Sequence, residues 1–273
     1  MLPKNAIIIT YFLVILMLLA SGWVAYSAAC DYERQTEVLT DRLHTQPKAI
    51  SLFKEILEGI TIGFYGGYSQ ELEELKTIVA ARDSDKMRTI QATLVFFLLV
   101  GVLLVFNYVF ISDKVFFISA MLIISFIALV VGLFAPILMI VSYKDIPLLG
   151  QVVFMFQSKG IITTIETLYT SGNLLVAIPL FLFSVMIPFF KTIIMGLALL
   201  TPAQSIAYKS LRLIKYIGKW SMADVFVVAL LLTYFTVNKD KSTDAEVQIG
   251  LYFFLGYVIL SMMVSHLLAH AKK

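Results

Sequence analysis

The sequence predicts an all-α polytopic membrane protein of six transmembrane helices, with a helical outer-face segment and one small β element. Three observations carry that reading. Hydrophobic residues make up 60% of the chain and charged residues 14%, against about 25% charged in soluble domains. Apolar stretches recur at 6–29, 91–111, 115–141, 174–200, 222–237 and 249–269. Each approaches the roughly 20 residues that a hydrocarbon core about 30 Å thick requires. Lysine and arginine then gather in loops on one side, as short cytoplasmic loops do.

The same composition excludes several functions. In 273 residues, six spans and one polar segment leave no room for a separate large soluble domain. A formal charge of +3 is too small to imply nucleic acid as a partner. Cys30 is the one cysteine, which rules out a disulfide or a cysteine-based zinc site within one chain. His44, His266 and His270 are too few and too scattered for an imidazole metal site. No phosphate-binding glycine loop or nucleophile elbow occurs, so neither a cofactor nor an enzymatic activity is expected.

Span one (6–29) follows Lys4 and ends on Ser27-Ala28-Ala29-Cys30. It reads as an uncleaved signal-anchor, because its apolar run of roughly 25 residues exceeds the 7–15 of a secretory signal core. Cleavage is the competing reading. The polar segment 31–90 holds eight basic and eleven acidic residues. Ile50, Phe53, Ile56, Leu57 and Ile60 recur at helical spacing, as do Leu72, Leu75 and Ile78. Asp83 or Ser84 would cap a helix entering span two (91–111). Two readings stay open for this segment: a helical hairpin on the membrane surface, or a docking surface for a partner.

Span three (115–141) ends near Pro136. In the loop 142–173, Gln151–Gln157 is rich in β-formers, Ser158-Lys159-Gly160 signals a turn, and Ile161–Thr170 suits either a strand or a short helix. Gly172 breaks the chain before span four (174–200). The loop between spans four and five carries Lys209, Arg212, Lys215 and Lys219 with no acid. Together with Lys4 and Lys272-Lys273 they place both termini in the cytoplasm. Within Tyr208–Lys219, apolar residues alternate with cations as in an amphipathic helix on an anionic leaflet, with Trp220 beside it as an interfacial anchor.

Lys191 in span four and Asp224 in span five are the two charges that interrupt the apolar runs. A charge in a span is costly, so it faces the bundle interior with a partner. Ser184 precedes Lys191 by seven residues and Ser221 precedes Asp224 by three, each on its partner's helix face. Ser184, Lys191, Ser221 and Asp224 thus form a candidate polar file of the kind that relays protons or lines a substrate path. The plainer alternative is that Lys191 snorkels while Asp224 caps its helix. Ser265 and His266 are weaker candidates for the same file. Pro136, Pro179 and Pro188 lie within or near span ends, and Pro136 and Pro188 are candidate helix kinks.

Lys219–Phe226 (KWSMADVF), opening a membrane helix, resembles the Trp-Ser-Met-x-acid-Val motif of the paraquat-inducible protein A family. Ser184–Lys191 (SVMIPFFK) resembles that family's proline followed three residues later by lysine, and Pro136 agrees with its proline in the preceding helix. The resemblance covers roughly 115–270. It divides the chain into an N-terminal transmembrane hairpin, 1–114, holding the periplasmic insert 31–90, and a four-helix core, 115–273. It implies a bacterial inner-membrane protein that handles phospholipid for a periplasmic mammalian-cell-entry (MCE) domain tunnel protein, with charge movement in the polar file coupled to the proton gradient. Family members often carry zinc-binding cysteine pairs and two copies of the core; this chain has one core and one cysteine, so zinc does not carry over. A non-transporting scaffold or envelope-stress protein is the alternative function.

Overall fold

The computed structural model describes residues 4–45, 67–110, 114–146, 150–200 and 243–271. Their elements run α1 (Lys4–Thr45), α2 (Gly67–Phe110), α3 (Lys114–Phe134), β1 (Pro136–Ile146), β2 (Gly150–Gly160), α4 (Ile161–Thr170), α5 (Leu174–Phe181), a π-turn (Leu182–Met186), α6 (Ile187–Leu200), β3 (Thr243–Val247) and α7 (Ile249–Ala271). Five helical stretches among the described residues are long and apolar enough to cross a membrane, in α1, α2, α3, α5 through α6, and α7. The chain is therefore a multi-pass helical protein with one small sheet. Span five (222–237) and the periodic run 50–60 lie outside the described residues.

α1 and α2 pack as an antiparallel pair. Tyr11, Leu18, Ala25 and Tyr32 are buried at seven-residue intervals, as are Ala29 and Thr36. On α2 the buried set is Asp85, Thr89, Ala92, Thr93, Phe96, Val100 and Leu103. That repeat of about 3.5 residues is a narrow coiled-coil seam, and its alanines bring the two backbones close. Between seam positions, Phe12, Leu16, Leu94 and Leu98 are exposed, as a lipid-facing surface requires. α2 continues unbroken through Asp83 and Ser84, so neither residue is a helix cap. The two helices, 42 and 44 residues long, outrun a bilayer core and project beyond it on one side.

α3 is shorter than its hydropathy implied. Its last helical bond runs from Ala135 N to Val131 O, and Pro136 begins β1. Proline lacks the N–H that a further turn needs and restricts the residue before it. Pro136 therefore stops a helix and kinks none. Residues 136–141 were read as span because a buried apolar strand and a spanning helix look alike to hydropathy. β1 then pairs antiparallel with β2 on one side and β3 on the other, giving the order β2-β1-β3. β2 runs straight into α4, so Ser158-Lys159-Gly160 ends a strand and forms no turn.

Ile161–Thr170 is helical, and its threonines explain why propensity did not decide it. Thr163 and Thr164 donate to Gly160 O at 3.1 and 2.6 Å, and Thr167 to Thr163 O at 2.7 Å. Hydroxyls folded back on the preceding turn tolerate a helix at residues that otherwise favour strands. Gly172, at φ 77°, closes the turn into α5, a left-handed conformation that glycine adopts without strain.

α3 and α7 form the centre of the remaining bundle. A Cβ at Gly132 would stand 2.6 Å from Phe254 N, and one at Gly250 would stand 2.5 Å from Ala135 O. Both positions need glycine, and the paired order makes the helices antiparallel. Phe96 and Phe97 of α2 meet Phe253 at ring-centroid distances of 4.8 and 5.5 Å, seating the hairpin on α7. Tyr11 of α1 meets Phe116 of α3 at 4.5 Å. The Lys4, Lys114, Leu200 and Ala271 ends thus share the side of the bundle away from the sheet.

A buried polar layer in the helical core

α6 begins after an irregularity. The π-turn at Leu182–Met186 contains Ser184, and Pro188 follows it. Proline at 188 cannot donate to the carbonyl four residues earlier, which is that of Ser184, so the widened turn falls where the regular ladder is already broken. The seven-residue spacing from Ser184 to Lys191 passes through this turn, and helical repeat alone no longer aligns the two. Both are nevertheless buried, Ser184 at 5% and Lys191 at 2% exposure.

Lys191 is among the largest fully buried side chains of the described residues. It does not snorkel to a surface. Two rungs fix its depth. Tyr257 OH donates to Pro188 O at 3.2 Å, and Ser265 Oγ approaches Met195 Sδ at 3.5 Å. α6 and α7 therefore run parallel, and Lys191 and Thr192 lie between those rungs, level with Ser261. Thr192 Oγ1 also donates to Pro188 O, at 2.9 Å, so this one carbonyl receives two hydroxyls. On the third side, a Cβ at Gly196 would meet Leu122 of α3 at 3.6 Å, and Phe126 meets Phe189 at 6.2 Å. One turn along from Leu122 is Ser125, again at the depth of Lys191. Where three apolar helices meet, one layer thus holds Lys191, Thr192, Ser125 and Ser261, each buried.

Such a layer makes the fold less stable than an apolar one of the same shape, because charges and hydroxyls are taken from water. An ammonium there attracts carboxylates, phosphates or carbonyl oxygens, and it holds or releases a proton far more readily than an apolar wall. Ser221, Asp224, Trp220, Lys209, Arg212, Lys215 and Lys219 lie outside the described residues, as does the Lys191–Asp224 pair. Ser265 is half-buried against Met195, while His266 is exposed. The sequence reading did not single out Ser125, Thr192, Tyr257 or Ser261. A lone serine or threonine in an apolar run carries no signal; only the spacing of seven from Gly132 and Phe254 distinguishes Ser125 and Ser261, and that spacing acquires meaning once those two residues are known to touch.

A second polar group lies at the sheet end. Glu246 of β3 pairs with Lys86 of α2 and accepts from Tyr32 OH of α1 at 3.0 Å. Lys86 Nζ also stands 5.7 Å from the Tyr32 ring centroid, and Gln35 donates to Asp85 at 2.8 Å. The half-exposed Lys86–Glu246 pair and the Tyr32 hydroxyl tie the projecting hairpin to the sheet, while Gln35–Asp85 joins α1 to α2. No group of histidine, cysteine and carboxylate side chains suited to a metal occurs among the described residues.

A lipid-spanning bundle with a charged layer at its centre and a three-stranded sheet at one end defines a polytopic membrane protein built around intramembrane polar groups. Residues 118–271 match the family described as Paraquat-inducible protein A, and the chain belongs to that family. It is similar to lipophilic envelope-spanning tunnel protein A of Escherichia coli (strain K12), 32% identical over 117 residues, or 39% of this chain. The chain spans about a quarter of that relative's length, 26%. No solved structure matches it.

Proposed function

We propose that the chain is a non-enzymatic inner-membrane component of intermembrane lipid transport, which handles phospholipid for a periplasmic MCE-domain tunnel partner. The observation that carries the reading is a lysine at 2% exposure in the middle of an apolar bundle whose family includes an envelope-spanning tunnel protein. In this account the sheet and the projecting hairpin face the periplasm, and both termini face the cytoplasm. Two features support that topology. Leu200 ends at the side away from the sheet while Thr243 resumes on it, which suits a crossing in 222–237. The loop carrying Lys209, Arg212, Lys215 and Lys219 then falls on the cytoplasmic side, as basic loops do.

The mechanism follows from what a buried ammonium can do. Lys191 sits in the core family's own segment, and its charge changes the energy of the bundle when a proton leaves or a phosphate approaches. Ser184, Ser221 and Asp224 complete the polar file in this account, with movement of charge along it coupled to the proton gradient. The π-turn before Pro188 provides a place where α5 and α6 change their relative angle. A non-transporting scaffold is the rival, in which the layer serves only packing.

Affinity purification of the full chain from native membranes in mild detergent separates the two. Transport predicts a co-purifying MCE-domain protein and bound phospholipid, both depleted by Lys191→Ala and by Asp224→Ala at unchanged abundance. Purification of the wild-type chain with neither would favour the scaffold.

A further inference from the structure

Ser125 and Ser261 present a separate puzzle. Their side chains are 0% and 1% exposed, and neither hydroxyl has a hydrogen-bond partner among the described residues. A buried hydroxyl left alone is destabilising, and here two occur together. Their placement is not accidental to the packing. Ser125 is seven residues before Gly132, and Ser261 seven after Phe254, a pair at which the antiparallel α3 and α7 come into backbone contact. Seven residues return to the same helix face two turns on, so the two hydroxyls lie opposite each other across one interface. Serine is small, so at this point neither helix sends a long side chain toward the other. The Tyr257–Pro188 and Ser265–Met195 rungs put the two serines at the level of Lys191.

We infer that Ser125 and Ser261 together hold an internal water between α3 and α7, which hydrates the Lys191 layer from the side opposite α6. A water needs two to four polar partners, and the two hydroxyls supply both a donor and an acceptor each. The site would be a local one. One turn nearer the sheet, Ala128 is fully buried in the same interface and offers no polar atom. Hydration here concerns the layer to which the transport reading assigns function, but holds whether or not the chain moves lipid, so either can fail alone.

Silver-ion protection in native membrane vesicles tests it. Ag⁺ is small, water-soluble and thiol-reactive, and does not dissolve in hydrocarbon. In a Cys30→Ala background the introduced thiol is the only one. Ser125→Cys and Ser261→Cys should each lose later alkylation by a maleimide under denaturing conditions after silver treatment. Ile259→Cys, on the lipid-facing side of α7, and Ala128→Cys should be alkylated as fully as without silver. Unprotected thiols at both serine positions overturn the inference, as does protection at only one of them. Protection at Ala128→Cys as well would replace a discrete water site with a leaky interface and overturn it too. A second measurement avoids cysteine altogether. The double variant Ser125→Ala/Ser261→Ala should lower the melting temperature in nanodiscs, because the water loses both anchors; a raised melting temperature would show that the hydroxyls had been unsatisfied.

Discussion

The two helix pairings of this chain put their polar groups in opposite places. In the α1–α2 hairpin, the seam at bilayer depth is mostly alanine, leucine and phenylalanine, its polar atoms being the hydroxyls of Tyr11 and Thr93, and the cross-element ion pair lies at the exposed sheet end, between Glu246 and Lys86. In the α3–α6–α7 core, the sheet end is closed by backbone contact at Gly132 and Gly250, and the polar groups sit deep, at Lys191, Thr192, Ser125 and Ser261. The hairpin keeps its cross-element charge pair at a half-exposed end, where stability alone would put it. The core accepts a buried charge that stability alone would exclude, and such a departure from local rules is expected where a protein works. On the proposed reading, the hairpin holds and the core works.

The largest expected effect is on a close backbone approach in the core. Gly132→Val puts a branched side chain against Phe254 backbone and should cost about 3 kcal/mol or more, read as loss of detergent-stable protein and of abundance in membranes. Ala25→Leu in the hairpin seam also overpacks a buried site, at 0% exposure. Two separate helices have more room to shift than a closed three-helix layer, so the cost should fall to roughly 1–3 kcal/mol. Equal losses in these two variants would remove the mechanical difference between the regions.

A charge substitution sharpens the comparison from the other direction. Lys191→Met keeps the volume, removes the charge and leaves the group that Lys191 contacts uncompensated, so folding stability should fall, measured by thermal unfolding in nanodiscs. Function should be lost. The smallest effect belongs to the clasp. Glu246→Gln breaks a half-exposed ion pair with Lys86 and should cost about 0–1 kcal/mol, diminishing further as salt is raised. A large loss there would mean that the hairpin's seat on the sheet rests on that contact more than on Phe96, Phe97 and Phe253.

Much of the fold was legible because hydropathy reports lipid directly. The helices at 6–29, 91–111, 174–200 and 249–269 were visible as apolar runs, and Gln151–Gln157 as β-formers. The end of α3 was not, since Pro136–Val141 is as apolar as the helix before it. β3 was missed as well: Thr243–Val247 (TDAEV) is polar and short, and pairs with β1 only because chain-distant segments meet at one end of the bundle. For the site, Lys191 stood out by charge alone, and its burial agrees with a costly residue turned inward. Thr192, Tyr257, Ser125 and Ser261 were illegible because their significance lies in which helix faces which. No single helix contains that information.

The division of labour itself rests on one comparison of two lysines. Lys191→Met and Lys86→Met, expressed at equal abundance in cells lacking the native chain, should be scored for restoration of the outer-membrane permeability barrier. The account predicts that Lys86→Met restores it and Lys191→Met does not. Full restoration by Lys191→Met would contradict the account, leaving the buried lysine a packing feature and the core no more functional than the hairpin.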